Sequence, residues 1–298
     1  PLLTVSRADI VNYANQHQLN WVEDESNNDE HYDRNFIRHQ ILPSLNARWP
    51  SINNTIARSA EHSFEAQQLL DELAQEDLSN CQVSPYKLSV SMLNKLSEIR
   101  LKNLLRYFIS SHDLLMPSRQ QLQQICLQLN ADIDKSPVIQ LSNYCFRRFK
   151  DEFYLTPIHQ DISLWQQAVN LDNLVLEDSL NIILPDALGA LNISTNIESF
   201  ETANRWQASI KKPTADQIFT VRFSHENPKC LPQYRQHSRA LKKVLQELNI
   251  PPWQRKRLPF IFYDNELVAV PGYFVCKSFL AVHNEEALFV SWNSESSF

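Results

Sequence analysis

The amino-acid sequence predicts an α+β chain with an N-terminal helical part, a mainly helical middle with a small sheet, and a C-terminal domain of mixed strands around a basic helix. Three observations predict this class. Leucines recur at helical spacing between Leu93 and Ile109. After Pro137 the hydrophobic period changes to two, which is typical of strands. Near the C-terminus, short apolar strand segments flank one helix rich in lysine and arginine.

The composition limits the size of the core, the number of domains and the class of protein. The chain has 298 residues, of which 43% are hydrophobic, so it can bury a substantial core in two or three domains. Its five cysteines are scattered without a C-x-x-C pair, which argues against a disulfide framework or a zinc site. No apolar run reaches the roughly 18 residues of a membrane span. We therefore expect a cytoplasmic protein without a membrane partner.

The first element is a helix. Residues 6–9, Ser-Arg-Ala-Asp, fit a capping box. The apolar residues behind it predict one buried side, formed by Ile10, Val11, Tyr13 and Ala14.

An acidic run follows this helix. Six carboxylates crowd positions 23–33: Glu23, Asp24, Glu25, Asp29, Glu30 and Asp33. A solvated loop is the ordinary interpretation of such a run. Metal binding is the alternative, but the spacing is not that of a calcium-binding loop.

Two arginines stand directly after the acidic run. Arg34 and Arg38 are four residues apart, so on a helix they share one face and could grip one anionic group. Asn35 adds a neutral donor and acceptor beside them. The alternative is that Arg34 pairs with the acids before it.

The middle of the chain alternates helices and strands. The apolar spacing predicts one long helix with an apolar side at residues 51–78 and two more helices at 93–109 and 117–129. It predicts strands at residues 138–141, 144–149 and 153–155. The apolar side of the long helix would consist of Ile52, Ile56, Phe64, Leu69, Leu70 and Leu73.

Arg147 and Arg148 lie between aromatic residues in the second of these strands. They could form a nucleic-acid face, but alternation requires one side of the hairpin to be core. We favour a buried Phe146, with the two arginines as RNA contacts.

The C-terminal part predicts strands at 219–223, 260–263, 267–270, 274–276 and 287–292. Asp264-Asn265 and Pro271-Gly272 read as turns. Residues 160–185 give no functional signal.

The most basic stretch of this acidic chain, whose net charge is −6, lies at 235–257. Apolar spacing at 241–248 predicts a helix capped by Ser238 and ended by Pro251-Pro252, with Trp253 as an anchor for a second basic turn. The candidates for contact with an anionic partner are Arg235, His237, Arg239, Lys242, Lys243, Arg255, Lys256 and Arg257. A solvated helix face is the alternative for the cations, and a structural role is the alternative for His237.

The order of these motifs resembles the bacterial tRNA(Ile)-lysidine synthases. The segment Ile250-Pro-Pro-Trp253 after the basic helix, residues 257–263 and residues 267–275 are similar to that family's C-terminal domain. Residues 21–27, 32–38 and 42–43 are similar to the end of its catalytic domain. The resemblance covers nearly the whole chain, although residues 232–237 stand where the family tends to have glycines.

The resemblance implies the function. The complete enzyme would use ATP and Mg²⁺ to adenylate the wobble cytidine of tRNA(Ile) with a CAU anticodon, and free lysine would then displace AMP. It places Asp24, Asn27, Arg34, Asn35 and Arg38 on one wall of the site where ATP, lysine and cytidine meet. The implied domains are 1–50, the end of an α/β catalytic domain of the PP-loop ATP-pyrophosphatase type, 51–160 for substrate binding, and 161–298 for tRNA binding.

One family feature is not in the sequence. The chain has two glycines, Gly189 and Gly272, and neither stands in a phosphate-binding loop between a strand and a helix. Because the chain also begins with Pro1, we expect part of a longer enzyme that binds neither ATP nor Mg²⁺ and is inactive alone. The alternatives are a stand-alone RNA-binding module and a dimerisation role for the helical middle, residues 51–130.

Overall fold

The computed structural model describes residues 2, 5–129, 138–175, 179–196, 206–281 and 286–293. Pro1 and Pro137, which entered the sequence argument, lie outside these residues. The chain divides by its contacts into two units, Pro1–Glu76 and Asp77–Phe298. The boundaries predicted at 50 and 160 stay predictions.

The first unit is helical. Its elements are α1 (Arg7–Gln16), a 3₁₀ turn (Glu25–Asn28), α2 (Asp33–Phe36), a π-helical segment (Ile37–Ile41), α3 (Leu42–Arg48) and most of α4 (Ile52–Cys81). The capping box of α1 is confirmed, since Ser6 Oγ accepts from Asp9 N and Asp9 Oδ2 accepts from Ser6 N. The predicted long helix is also confirmed.

The predicted buried side of α1 is wrong, and the apolar side of α4 is largely exposed. Ile10 and Tyr13 are 41% and 58% exposed, and Phe64 and Leu69 are 65% and 67% exposed. An apolar stripe determines which face of a helix favours burial, but it does not supply the partner that covers it.

The second unit begins with a five-stranded antiparallel sheet in the order β1-β2-β5-β4-β3. Its strands are β1 (Gln82–Ser84), β2 (Lys87–Ser89), β3 (Val138–Leu141), β4 (Tyr144–Phe149) and β5 (Glu152–Pro157). Its helices are α5 (Val90–Leu93), α6 (Glu98–Ser110) and α7 (Arg119–Leu129). The predicted strands β3 to β5 are confirmed, whereas β1 and β2 were not predicted.

Sheet and helices share one core. Phe146 is fully buried, as predicted, and its ring stacks on Phe153 with centroids 4.9 Å apart. Leu104, Leu105 and Phe108 of α6 are also fully buried in this core.

The C-terminal part contains two larger sheets and a two-stranded ribbon. One sheet has the order β15-β14-β13-β10-β6, the other has the order β7-β8-β16-β9, and β11 pairs with β12. The strands are β6 (Gln166–Val169), β7 (Ser179–Ile183), β8 (Ala190–Ser194), β9 (Trp206–Lys211), β10 (Phe219–Arg222), β11 (Lys229–Cys230), β12 (Arg239–Ala240), β13 (Phe260–Tyr263), β14 (Glu266–Val270), β15 (Phe274–Val275) and β16 (Ala287–Asn293). Two short helices, α8 (Leu241–Glu247) and α9 (Pro252–Arg255), stand between β12 and β13.

Both predicted turns are confirmed. Tyr263 pairs with Glu266, so Asp264 and Asn265 form a two-residue hairpin turn in which Asp264 has φ 50°. Gly272 has φ 88°, and a Cβ there would lie 3.1 Å from the ring of Trp292. In the described part of the chain, no helix combines the length and the apolarity that crossing a membrane requires.

Candidate nucleic-acid interface

Helix α8 carries the basic stretch, but its cap differs from the prediction. Leu241, Val244 and Leu245 are buried as predicted. Ser238 is not the N-cap, because the helix starts at Leu241 and is preceded by strand β12. The side chain of Asn227 does the capping instead, with its Oδ1 accepting from Lys242 N at 2.8 Å.

The double proline opens a helix instead of closing one. Helix α8 ends at Glu247, before Asn249, which has φ 58°. Pro252 is the first residue of α9, a position that suits proline because its missing N–H has no helical partner there. The two basic segments are therefore consecutive helices joined by a sharp turn.

This turn brings four of the predicted cations together. Lys242 and Lys243 of α8 line a hollow of about 380 Å³ with Arg255 and Lys256. We call it the basic hollow. Its lining is Phe223, Ser224, His225, Lys242, Lys243, Leu245, Gln246, Pro252, Arg255 and Lys256. No carboxylate is among these described residues, so the hollow attracts anions.

His225 is the residue of the hollow that the sequence did not indicate. Burial, with the charges of Lys242 and Arg222, lowers its pKa. Burial likewise lowers the pKa of Arg255, whose Nε donates to Ile250 O at 2.7 Å. His225 follows β10, and only the fold places it beside α8.

Arg235 and Arg239 are differently placed. Both form ion pairs with Glu247, and for Arg239 the Nη1–Oε1 distance is 2.9 Å. One carboxylate thus offsets part of their charge. His237 is exposed in the loop between them.

Trp253 lies where the first sheet meets the C-terminal part. Its ring packs edge-on against Tyr154, at 5.1 Å between centroids, and against Phe149, at 6.2 Å. The guanidinium carbon of Arg147 lies 5.4 Å from the same ring, a cation–π distance. The predicted anchor role of Trp253 therefore has a physical basis in aromatic packing.

A second hollow, of about 470 Å³, adjoins this tryptophan. We call it the junction hollow, and Lys256 and Pro252 line it as well as the basic hollow. Its charged and aromatic lining includes Arg147, His159, Asp161, Trp253, Lys256 and Arg257. The structure thus brings Arg147, a separate candidate in the sequence, next to the basic turn.

Two other predicted cations hold the fold together. Arg257 forms an ion pair with Asp186, and its Nη2 donates to Asp186 O at 3.0 Å. His159 Nδ1 lies 3.6 Å from the same carboxylate, and burial lowers its pKa, with Arg257 adding to the effect. Arg148 donates from Nη1 to Leu129 O at 2.8 Å, which ties β4 to the end of α7.

In the first unit, hydrogen bonds between residues near one another in the sequence hold the acidic run in a defined loop. Asp24 Oδ1 accepts from Ser26 N at 2.9 Å, which caps the 3₁₀ turn. Hydrogen bonding by the Ser26 side chain, and then by its backbone amide, lowers the pKa of Asp24. The buried Asn35 amide donates to Ser26 O and to Asp29 O, both at 2.9 Å. Asn27 O lies 3.1 Å from His39 Nε2. The side chains of Asp24 and Asn35 and the backbone of Asn27 therefore shape the loop.

Arg34 is exposed on α2, and Arg38 is half-buried in the π-helical segment. Neither forms an ion pair with a carboxylate among the described residues, so the pairing of Arg34 with the acidic run is not seen. The π segment was not predicted, and such segments are frequent at functional sites. In the ranges that the structure describes, no three His, Cys, Asp or Glu side chains are grouped to hold a metal ion.

Three family models match separate parts of the chain. A PP-loop domain matches residues 1–45, a TilS substrate binding domain matches residues 88–154, and a TilS substrate C-terminal domain matches residues 219–292. The chain thus contains a match to a PP-loop domain, followed by matches to two substrate domains.

Curated relatives are similar to nearly the whole of this chain. The tRNA(Ile)-lysidine synthase of Serratia proteamaculans is 38% identical over 296 residues, covering 99% of this chain and 64% of the relative. Those of Vibrio campbellii and Photobacterium profundum are 37% and 40% identical over 280 residues, covering 94% of this chain and 59% and 60% of the relatives. The chain belongs to the tRNA(Ile)-lysidine synthase family, and it spans about three fifths of the length of these relatives.

A solved TilS C-terminal domain aligns with 40% of this chain and 92% of that domain, at 16% identity and a TM-score of 0.29.

Proposed function

We propose that this chain is the RNA-holding part of an enzyme that ligates free lysine to C2 of the wobble cytidine of tRNA(Ile) with a CAU anticodon. The reaction would pass through an adenylated tRNA and take place in the cytoplasm. The observation that carries the proposal is the basic hollow, in which Lys242, Lys243, Arg255 and Lys256 meet without a carboxylate among the lining residues. RNA is held largely through its backbone and shape, for which such a surface is suited.

The junction hollow extends this surface. Lys256 lines both hollows, and Arg147 lies beyond it on β4 of the first sheet. An RNA backbone crossing α9 would therefore meet cations from both parts of the second unit. Arg257, Arg235 and Arg239 would contribute less, because carboxylates already offset their charge.

Arg34 and Arg38 are the proposed contacts of the first unit with substrate. Arg34 is exposed and Arg38 is half-buried, and neither has a carboxylate partner in the described part of the chain, so each guanidinium is available to an anionic group. We assign Asp24, Asn27 and Asn35 to positioning, since their hydrogen bonds form the loop that precedes these arginines.

ATP and Mg²⁺ belong to the proposed activity of the complete enzyme. The residues described here do not fit them: the only two glycines lie outside any phosphate-binding loop, and no metal-ligand group stands among the described residues. We assign no chemical step of ATP to this chain. That the chain binds neither group and is inactive alone stays a prediction.

The test is binding of labelled tRNA(Ile) to this chain across a salt series, with elongator tRNA(Met) as competitor. Replacing Lys242 and Lys243 together by Gln should weaken binding and reduce the slope of log K against log salt by about 2. The matched control replaces Lys95 and Lys277, two exposed lysines outside the hollow, and should leave the slope unchanged.

Equal slopes for the parent and K242Q/K243Q would refute the role of the basic hollow. Binding without preference between the two tRNAs would favour the alternative of a general RNA-binding module. The alternative of a homodimer through residues 51–130 is tested separately by light scattering, where a monomer at high protein concentration would contradict it.

A further inference from the structure

A third hollow lies in the helical middle, away from the residues considered so far. It has a volume of about 360 Å³ and lies between α6 and α7. Its main lining residues are Glu98, Lys102, Arg106, Arg119, Leu122 and Gln123. Three of them are cations and one is an acid.

The local folding explains why these cations converge. Glu98, Lys102 and Arg106 follow one another at intervals of four on α6, so they share one stripe of the helix, beside its buried leucines. Arg119 is the first residue of α7. Ser118 and Gln121 hold that first turn in place, with Gln121 Oε1 accepting from Ser118 N at 2.8 Å and Ser118 Oγ accepting from Gln121 N at 3.2 Å.

The charges in the hollow are unequally compensated. Lys102 pairs with Glu98, and this pair lowers the pKa of the Glu98 carboxyl. Arg106 and Arg119 are exposed and have no carboxylate partner among the described residues. They differ in this from Arg235 and Arg239, which share Glu247.

Two uncompensated guanidinium groups at one hollow suit a particular ligand. The planar guanidinium donates two parallel hydrogen bonds to a phosphate, a geometry that lysine does not offer. The N-terminus of α7 adds a positive partial charge on the same side. We propose that Arg106 and Arg119 bind a backbone phosphate of the RNA, as a second contact point separate from the basic hollow. This inference rests on the proposed function.

The direct test is the variant R106Q/R119Q in the tRNA(Ile) salt series. If both arginines hold one phosphate, binding should weaken roughly tenfold and the salt slope should fall by about 1. The K95Q/K277Q control, which removes the same charge elsewhere, should leave both unchanged. An unchanged slope in R106Q/R119Q, with a reduced slope in K242Q/K243Q, would overturn this inference and leave the proposed function intact.

A variant that is expected to tighten RNA binding separates the proposed role from a purely structural effect, which would weaken binding. Glu98→Gln releases Lys102 from its partner and should tighten RNA binding about threefold, since one more cation faces the phosphate. Its control is Glu266→Gln, which removes an exposed carboxylate on β14. Equal or weaker binding by the Glu98 variant than by this control would contradict the inference.

Inorganic phosphate distinguishes an RNA site from a free-ion site. The Nε–H NMR signals of Arg106 and Arg119 should shift with stoichiometric tRNA and should stay in place with millimolar phosphate. Saturation by millimolar phosphate without any response to tRNA would overturn the assignment to an RNA phosphate.

Discussion

The two units of this chain place similar helical patterns in different surroundings. In the first unit, Tyr13 of α1 is 58% exposed and Phe64 of α4 is 65% exposed. In the second unit, Leu105 and Phe108 of α6 are fully buried under the first sheet. Among the described residues of the first unit, only Asn35 and Ala74 are buried. The same periodicity thus accompanies a core in one unit and an open apolar surface in the other.

The difference shows that the two units are held by different forces. The second unit buries aromatic and aliphatic side chains in three clusters, so hydrophobic burial dominates its stability. The first unit depends on local polar contacts, such as the Ser6–Asp9 capping box and the Asn35 amide. Local contacts of this kind contribute little each and open more easily than a core.

The largest expected effect is a difference in unfolding free energy between the same Phe→Ala substitution made in each of the two units. Phe146→Ala removes a fully buried ring that stacks on Phe153, and it should lower the free energy of unfolding by about 3–5 kcal/mol. The matched change Phe64→Ala, at an exposed site, should stay within about 0.5 kcal/mol. Urea unfolding followed by circular dichroism measures both. Equal losses would show that Phe64 is buried in solution, and the contrast between the units would fail.

A smaller effect tests the polar organisation of the first unit. Asn35→Ala removes two hydrogen bonds to the backbone of the acidic run and should cost about 1 kcal/mol locally. Amide exchange in residues 26–31 should then accelerate about fivefold, since opening becomes easier by that free energy. Asn28→Ala, at an exposed site of the same turn, is the control. Unaltered exchange in the Asn35 variant would mean that other contacts hold the loop.

The smallest effect concerns pH and the second unit. Burial lowers the pKa of His225 below the ordinary value of 6.5, so the unfolded chain binds more protons at this residue than the folded chain does. The free energy of unfolding should therefore decrease as the pH falls through about 6.5, and His225→Gln should lessen that decrease by under about 1 kcal/mol.

Urea midpoints of the parent and the His225→Gln variant at pH 7.5 and 5.5 measure this difference. The other histidines contribute equally to both proteins and cancel. A steeper fall in the variant than in the parent would reverse the sign and refute the lowered pKa.

Most secondary structure could be predicted from the sequence, because it depends on local spacing. The capping box at Ser6 and the strand at Tyr144–Phe149 were recognised from a few adjacent residues. The turn at Gly272 was recognised in the same way. Strands β1 and β2 were missed, since three-residue strands carry too little pattern, and the π segment at Ile37–Ile41 has no sequence signal.

The sequence by itself determined which residues are cations and which helix faces favour burial. It also determined the family, because motifs such as Ile250-Pro-Pro-Trp253 are read directly. Only the tertiary structure decided how the charges are used. It placed Asn227 at the start of α8, Glu247 beside Arg235 and Trp253 beside Arg147. The physical reason is that compensation of a charge depends on distances across the fold, whereas a sequence pattern reports only neighbours along the chain.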